Sequence, residues 1–214
     1  MSASAKVMTV VAVAALAGVA VFSYNQTQNL GGPRMHGAHA GAQSGDMADA
    51  MDSAPINACA LLNDDEVSAV VGTKVSPGQR RDDGEVGGKG DYAPVGTYSS
   101  TCFWQFHADA SGEDDPTLPM GGKRFAILNA MVWPAGGGDA VKFLQSFHDA
   151  FKEEIIPSDP VAVDIGDEGL WWGDGVAVRK GDRSFGISVF LQNGDKPTQR
   201  KMEETLARKI AARL

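Results

Sequence analysis

The sequence predicts an α+β domain with about five mainly antiparallel strands and about three helices that cover one face of the sheet. Three observations lead to this prediction. Apolar residues alternate in several short segments, as in half-buried strands, and recur every three to four residues in others, as in helices. Short glycine-containing turns join successive strands, which favours antiparallel pairing. The predicted order is helix, two strands, helix, three strands and helix.

The first helix is predicted from its two ends. Asn63 is followed three residues later by Glu66, a variant of the capping box that begins many helices. The helix is expected to continue to Val71 and to end at Gly72, because glycine adopts the left-handed conformation common at helix C-termini.

The first two strands are predicted over 97–107 and 124–133. The former alternates around Cys102, Trp104 and Phe106, and the latter ends before a proline. A turn-rich connection separates them, so a hairpin with a long loop is expected.

The second half of the domain begins and ends with amphipathic helices. The helix from Gly138 carries an apolar stripe with helical spacing, formed by Ala140, Leu144, Phe147, Phe151 and Ile155. Three short strands follow over 169–172, 176–180 and 184–192. The last helix, over 197–213, repeats an apolar residue every fourth position, at Met202, Leu206, Ile210 and Leu214.

A nearly unbroken apolar run from Val7 to Phe22 lies near the beginning of the chain. A membrane-spanning helix needs about 20 apolar residues, with roughly 17 as the lower limit, so three interpretations stay open. A signal anchor over 1–24 is favoured, because no small-residue cleavage site follows the run. A cleaved signal peptide is the main alternative, and a buried core helix is the weakest of the three. Lys6 precedes the run and the next basic residue is Arg34, which predicts that the remainder lies outside the cytoplasm.

Residues 25–54 are predicted to form a flexible linker, because small and polar residues dominate and large aliphatic residues are almost absent. The linker also contains thioether and imidazole side chains, which suit copper: Met35, His36, His39, Met47 and Met51. Two histidines in a flexible segment fix no coordination geometry. A solvated tether is therefore the favoured interpretation, with copper binding as the alternative.

A single globular domain is predicted over 55–214, a length that suits one hydrophobic core. The chain has a net charge of −8, and the residues before 55 contain equal numbers of acidic and basic side chains. An acidic domain repels phosphate groups, so nucleic acid is not an expected partner and anionic lipid headgroups are disfavoured. No nucleophile elbow or dinucleotide-binding motif is present, and we expect no cofactor.

Cys59 and Cys102 are the only cysteines. In an exported domain, such a pair predicts a disulfide. The bond would close a loop of about 44 residues and stabilise the fold by roughly 4 kcal/mol in the chain-entropy model. Part of this loop, over 77–96, is rich in glycine, proline and charge. It has no apolar period, so we expect it to be irregular.

Three short segments resemble a diffuse group of bacterial envelope domains of unknown function: 59–62 (CALL), 102–104 (CFW) and 163–171 (VDIGDEGLW). Members of this group are lipoproteins or membrane-anchored proteins that share a Cys-x-Leu-Leu…Cys-x-Trp frame. The resemblance implies an antiparallel sheet with helices and a structural disulfide. It implies no reaction, since the activity of the group is unassigned. The chain differs from the lipoprotein members because it lacks the lipid-attachment cysteine.

Trp171 and Trp172 are the main candidates for ligand binding, together with Trp133 at the end of its own predicted strand. Neighbouring strand residues point to opposite faces, so one indole can enter the core while the other meets a ligand. The alternative is that helices cover both. Nearby acidic residues would suit a cationic or sugar-like ligand or a protein partner: Asp167, Glu168 and Asp174.

We therefore expect a non-enzymatic binding or protein-interaction domain in the periplasm of a bacterial cell envelope. The N-terminal helix would attach it to the inner membrane, unless cleavage makes it a secreted domain, and its partner would be an envelope protein or a small ligand. Copper handling through the linker, or an enzyme of a type that motifs do not reveal, are the alternatives. An enzyme would bring several titratable groups with shifted pKa values into one cleft.

Overall fold

The computed structural model describes residues 54–86, 93–107, 117, 122–134, 138–156, 158–191 and 195–214. The predicted leader and the predicted linker, apart from Ala54, lie outside these ranges. Within the described ranges, no helix has the length and apolar character needed to cross a membrane.

The described residues form one α+β unit of seven strands and four helices. In chain order these are α1 Ala58–Leu61, α2 Asp64–Val71, β1 Gln79–Val86, β2 Thr97–His107, β3 Lys123–Val132, α3 Gly138–Lys152, β4 Val161–Ala162, β5 Glu168–Trp171, β6 Val176–Lys180, β7 Arg183–Phe190 and α4 Lys196–Ala211. All strands belong to one sheet in the order β1-β2-β3-β7-β6-β5-β4. Every neighbouring pair is antiparallel, which confirms the predicted class and strand direction.

The prediction of about five strands and three helices was close but incomplete. β1 lies within the segment 77–96 that we expected to be irregular, and its residues alternate between exposed and half-buried positions. Backbone pairing with β2 holds this charged edge strand, and the pairing shifts by one residue between Asp82 and Gly84. The two-residue strand β4 and the single-turn helix α1 are the other additional elements.

The prediction that helices cover one face was wrong, because they cover both. On the first face, α1, α2 and α4 pack against a core that includes Leu128 and Val176. On the second face, α3 packs with Met131, Leu170 and Ala177. Neighbouring strand residues point to opposite faces, so adjacent residues such as Val176 and Ala177 enter different cores.

Local signals at the helix ends are confirmed. The Asn63 side chain accepts a hydrogen bond from the Glu66 backbone N–H over 2.9 Å, and the Glu66 side chain accepts from the Asn63 N–H over 3.2 Å. Gly72 ends α2 with a φ of 80°. A cap that was not predicted begins α4, where the Asp195 side chain accepts from the backbone N–H of Thr198 over 2.7 Å.

The predicted disulfide is confirmed. Cys59 in α1 and Cys102 in β2 are bonded, with their Cα atoms 5.0 Å apart. Beside the bond, the backbone N–H of Ala58 donates to the Ser100 hydroxyl over 3.0 Å. Two neighbouring connections therefore attach α1 to β2, next to the edge strand β1.

Candidate functional site at Trp171 and Glu203

The adjacent tryptophans at the end of β5 lie on opposite sides of the sheet. Trp171 packs against the first-face core, and Trp172 belongs to the second-face core. Trp172 is 9% exposed and packs against Phe147 of α3. Trp171 is half-buried under side chains of α4.

Trp133 and Trp172 belong to one run of aromatic rings beneath α3. Trp133 is 2% exposed, and its indole N–H donates to the Ser184 hydroxyl over 2.7 Å. Its ring centroid lies 5.3 Å from that of Phe143, and Phe147 continues the run to Trp172 with centroids 5.0 Å apart. These two indoles support α3 from below, and a ligand-binding role for either stays a prediction.

The acidic residues that flank β5 are paired with basic side chains. Arg179 Nη1 donates to Asp167 Oδ2 over 3.2 Å, and Arg179 Nε lies 3.6 Å from Glu168 Oε2. Lys196 bonds the carboxylate of Asp174. A cationic ligand at these carboxylates would therefore compete with Arg179 or Lys196.

Trp171 contacts two side chains of α4. The guanidinium carbon of Arg200 is 5.0 Å from the ring centroid, within cation–π range. Arg200 Nε also donates to Glu204 Oε1 over 2.7 Å, which orients the guanidinium. The Trp171 indole N–H donates to Glu203 Oε2 over 3.0 Å. The result is a half-buried indole that α4 contacts at the ring face and at the N–H group.

Glu203 carries a fully buried carboxylate, with 0% exposure of the residue. In addition to the Trp171 bond, Oε1 accepts from the Val189 backbone N–H over 3.1 Å and from the Gln199 amide over 2.9 Å. The pairing of β7 with β6 extends only to Ile187. The backbone N–H of Val189 lies beyond it and donates to the carboxylate instead of to a strand carbonyl. Burial raises the pKa of Glu203 to about 7, although these hydrogen bonds favour the ionised form.

The first turn of α4 is fixed to the turn that follows β5. Lys196 Nζ donates to the Gly173 carbonyl over 3.1 Å and also bonds Asp174. It lies 3.4 Å from Gln199 Oε1, and the other end of this amide donates to Glu203. A continuous series of polar contacts therefore joins the turn to the buried carboxylate.

Sequence reasoning missed Glu203 because it considered only apolar residues of the last helix. The buried residues of α4 are Gln199, Glu203, Leu206, Ala207, Ile210 and Ala211. The predicted positions Leu206 and Ile210 are correct, whereas Met202 is only partly buried. Gln199 and Glu203 extend the buried stripe towards the N-terminus of α4 with helical spacing. This spacing is the feature of the sequence from which their burial could have been predicted.

A second polar centre lies at the β1–β2 edge. Asp82 accepts hydrogen bonds from Arg80, Tyr98 and Ser100. Burial acts to raise the pKa of Asp82, but the hydrogen bonds from Arg80 and Ser100 outweigh it and the pKa is lowered. Because the Ser100 hydroxyl also accepts from the Ala58 N–H, this centre joins α1 to the sheet edge.

The proposed copper ligands lie outside the described residues: Met35, His36, His39, Met47 and Met51. Within the part of the chain that the structure describes, no three His, Cys, Asp or Glu side chains come together where they could hold a metal ion. Copper binding by the linker stays a prediction.

Fold and site together define a class: a disulfide-linked α+β domain with helices on both faces of an antiparallel sheet and a buried carboxylate beneath its last helix. No protein-family model matches the chain, and no curated protein or solved structure shows significant similarity to it.

Proposed function

We propose that this protein is a non-enzymatic binding or protein-interaction domain of the bacterial cell envelope, attached to the inner membrane by its N-terminal segment. The apolar run from Val7 to Phe22 supports the attachment. The bond between Cys59 and Cys102 supports an oxidising compartment, because disulfides persist mainly outside the cytoplasm.

The single observation that carries the binding role is the half-buried Trp171 with Arg200 against its ring. Tryptophan and arginine are the residues most enriched where protein interfaces concentrate their binding energy. Glu203 holds the indole N–H, so little side-chain freedom is lost when a partner covers the ring. A suitable partner would place an apolar group on the indole and an acidic group near Arg200.

Site-specific photo-crosslinking in cells tests this role. The full chain would carry p-benzoylphenylalanine in place of Pro197, an exposed residue one turn before Arg200 in α4, so that Trp171 and Arg200 are both kept. The control carries it in place of Lys142, whose side chain is 78% exposed on α3, on the opposite face of the sheet. We expect a discrete adduct from position 197 alone. Equal adducts from both positions, or none from either, would contradict an interface at Trp171.

A thermal-shift screen of the purified full chain tests whether the site binds a small ligand. The probes are sugars, polyamines, peptidoglycan fragments and metal salts, because a species that binds the folded state raises the melting temperature by mass action. We expect a probe that acts at this site to lose its effect in Trp171→Leu and to keep it in Trp171→Phe, which retains an aromatic face. A shift that persists in Trp171→Leu would assign the ligand to another surface.

A further inference from the structure

Glu203 is surrounded by hydrogen-bond donors. Its two oxygens accept from Trp171, Gln199 and the Val189 backbone, at distances between 2.9 and 3.1 Å. Among the described residues, none of the basic side chains forms an ion pair with it. The carboxylate is therefore held by neutral donors, in a site where the residue has 0% exposure.

The charged groups nearest to this centre come from α4 and from the turn after β5. On α4, Lys196 bonds Asp174 and Gly173, and Arg200 bonds Glu204. On the turn, the charge of Asp174 acts to raise the pKa of Glu203, in the same direction as burial. β7 contributes only a backbone N–H to the centre. Lys196 and Arg200 are thus paired with other carboxylates. Glu203 is the buried carboxylate of this cluster, and a proton would neutralise its charge.

A proton on Glu203 weakens the observed set of bonds, because it removes the negative charge that strengthens them. The indole N–H of Trp171 and the backbone N–H of Val189 are donors only, and neither can accept from a carboxyl O–H. A proton on Oε2 would occupy its second lone pair, and Trp171 would then donate to a neutral hydroxyl, which is a weaker acceptor than a carboxylate. A proton on Oε1 requires Gln199 to turn its amide, which would place an NH₂ group against the ammonium of Lys196.

We propose that Glu203 is a proton-sensitive contact between α4 and the β5–β6 connection. The ionised carboxylate holds Trp171 in its observed position, and protonation weakens either the bond to Trp171 or the Gln199–Lys196 contact with the turn at Gly173. The surroundings of Trp171 then change with pH. This property goes beyond the proposed binding role and does not require a partner at Trp171, so either proposal can fail without the other.

The indole N–H signals in a nitrogen-15 NMR spectrum of the full chain test the proposal. The protein has four tryptophans, and single Trp→Phe variants assign their signals. We expect the Trp171 signal to follow one titration curve with a midpoint near pH 7. Trp133 is the internal reference, because its indole N–H bonds the hydroxyl of Ser184, a group that does not ionise in this range.

Two glutamate-to-glutamine variants distinguish the titration of Glu203 from general effects of pH on the protein. Glu203→Gln should abolish the titration of the Trp171 signal, whereas Glu153→Gln, an exposed change on the opposite face, should leave it intact. An equal titration in Glu203→Gln would overturn the proposal. If that variant does not fold, the side-chain carboxyl carbon-13 signal of Glu203 in the unaltered chain decides. A midpoint at the ordinary value of 4.5 would then be the contrary result.

Discussion

Cys59 and Cys102 join the single-turn helix α1 to the central part of β2, across a separation of 43 residues. The chain between them contains α2 and the edge strand β1. Cys102 is completely buried in the first-face core, between the sheet and the helices. The bond thus closes the part of the fold that contains the edge strand β1.

Removal of the disulfide should destabilise the domain. The variant Cys59→Ala/Cys102→Ala should lose roughly 4 kcal/mol of unfolding free energy, because the unfolded chain regains the entropy that the closed loop excludes. Urea unfolding measures the loss, and reduction of the unaltered protein serves as the control. An unchanged midpoint in both samples would contradict a stabilising role for the bond.

Gly175 should not tolerate a side chain. A Cβ atom there would lie 2.4 Å from the Ser188 hydroxyl and 2.4 Å from two ring atoms of Trp172. Gly175→Ala should therefore cost about 3 kcal/mol, the upper end for an overpacked core, as measured by urea unfolding.

Gly138→Ala is the matched control for this change. A Cβ at Gly138, the first residue of α3, meets nothing within 4 Å. We expect it to change stability by less than about 1 kcal/mol. The double variant Gly175→Ala/Trp172→Phe should recover part of the unfolding free energy that Gly175→Ala loses, because the smaller ring leaves space for the added methyl group. Equal costs for the two alanine variants would show that the contact at Gly175 is not the cause.

The capping box of α2 should contribute measurably to stability. Asn63→Ala removes the acceptor of the Glu66 backbone N–H and should cost about 1 kcal/mol. Asn63→Asp keeps an oxygen in the same place and should cost much less. Thermal unfolding of both variants provides the measurement. Similar losses in the two would mean that the hydrogen bond does not carry the effect.

The stability of the protein should depend on the protonation of Glu203. Its pKa in the folded state is about 7, above the ordinary 4.5, so the folded state favours the protonated form. The associated stabilisation is fully present below pH 4.5 and is lost as the pH rises through 7, by roughly 3 kcal/mol in total. Urea unfolding at several pH values measures this slope.

Glu203→Gln should flatten that slope, because the amide does not titrate. The exposed control Glu153→Gln should retain the dependence of the unaltered chain on pH. A slope in Glu203→Gln as steep as in the unaltered chain would assign the pH dependence to other groups. This measurement concerns stability alone and is independent of the NMR titration of Trp171.

Elements whose signals lie within a few residues were predictable. Asn63 and Glu66 are three positions apart and exchange two hydrogen bonds, and Gly72 ends the helix in the left-handed conformation. β2 has the predicted bounds Thr97–His107. Such signals act between near neighbours, so they are legible in the sequence.

β1 could not be predicted from periodicity. Its charged residues alternate only between exposed and half-buried positions, and its pairing places Gln79 opposite Phe103, far along the chain. The site at Glu203 was hidden for a related reason. A glutamate in a helix is normally solvated, and its donors Trp171 and Val189 come from two different strands.

The amino-acid sequence by itself determined the α+β class, the antiparallel direction of the strands, the single possible cysteine pair and part of the apolar stripe of each long helix. These properties depend on composition and on the spacing of nearby residues. Only the tertiary structure decided that α3 packs on the face opposite α4 and that Glu203 lies in the core. An apolar stripe is equally suited to either face of a sheet, so that choice depends on contacts between residues distant in the chain.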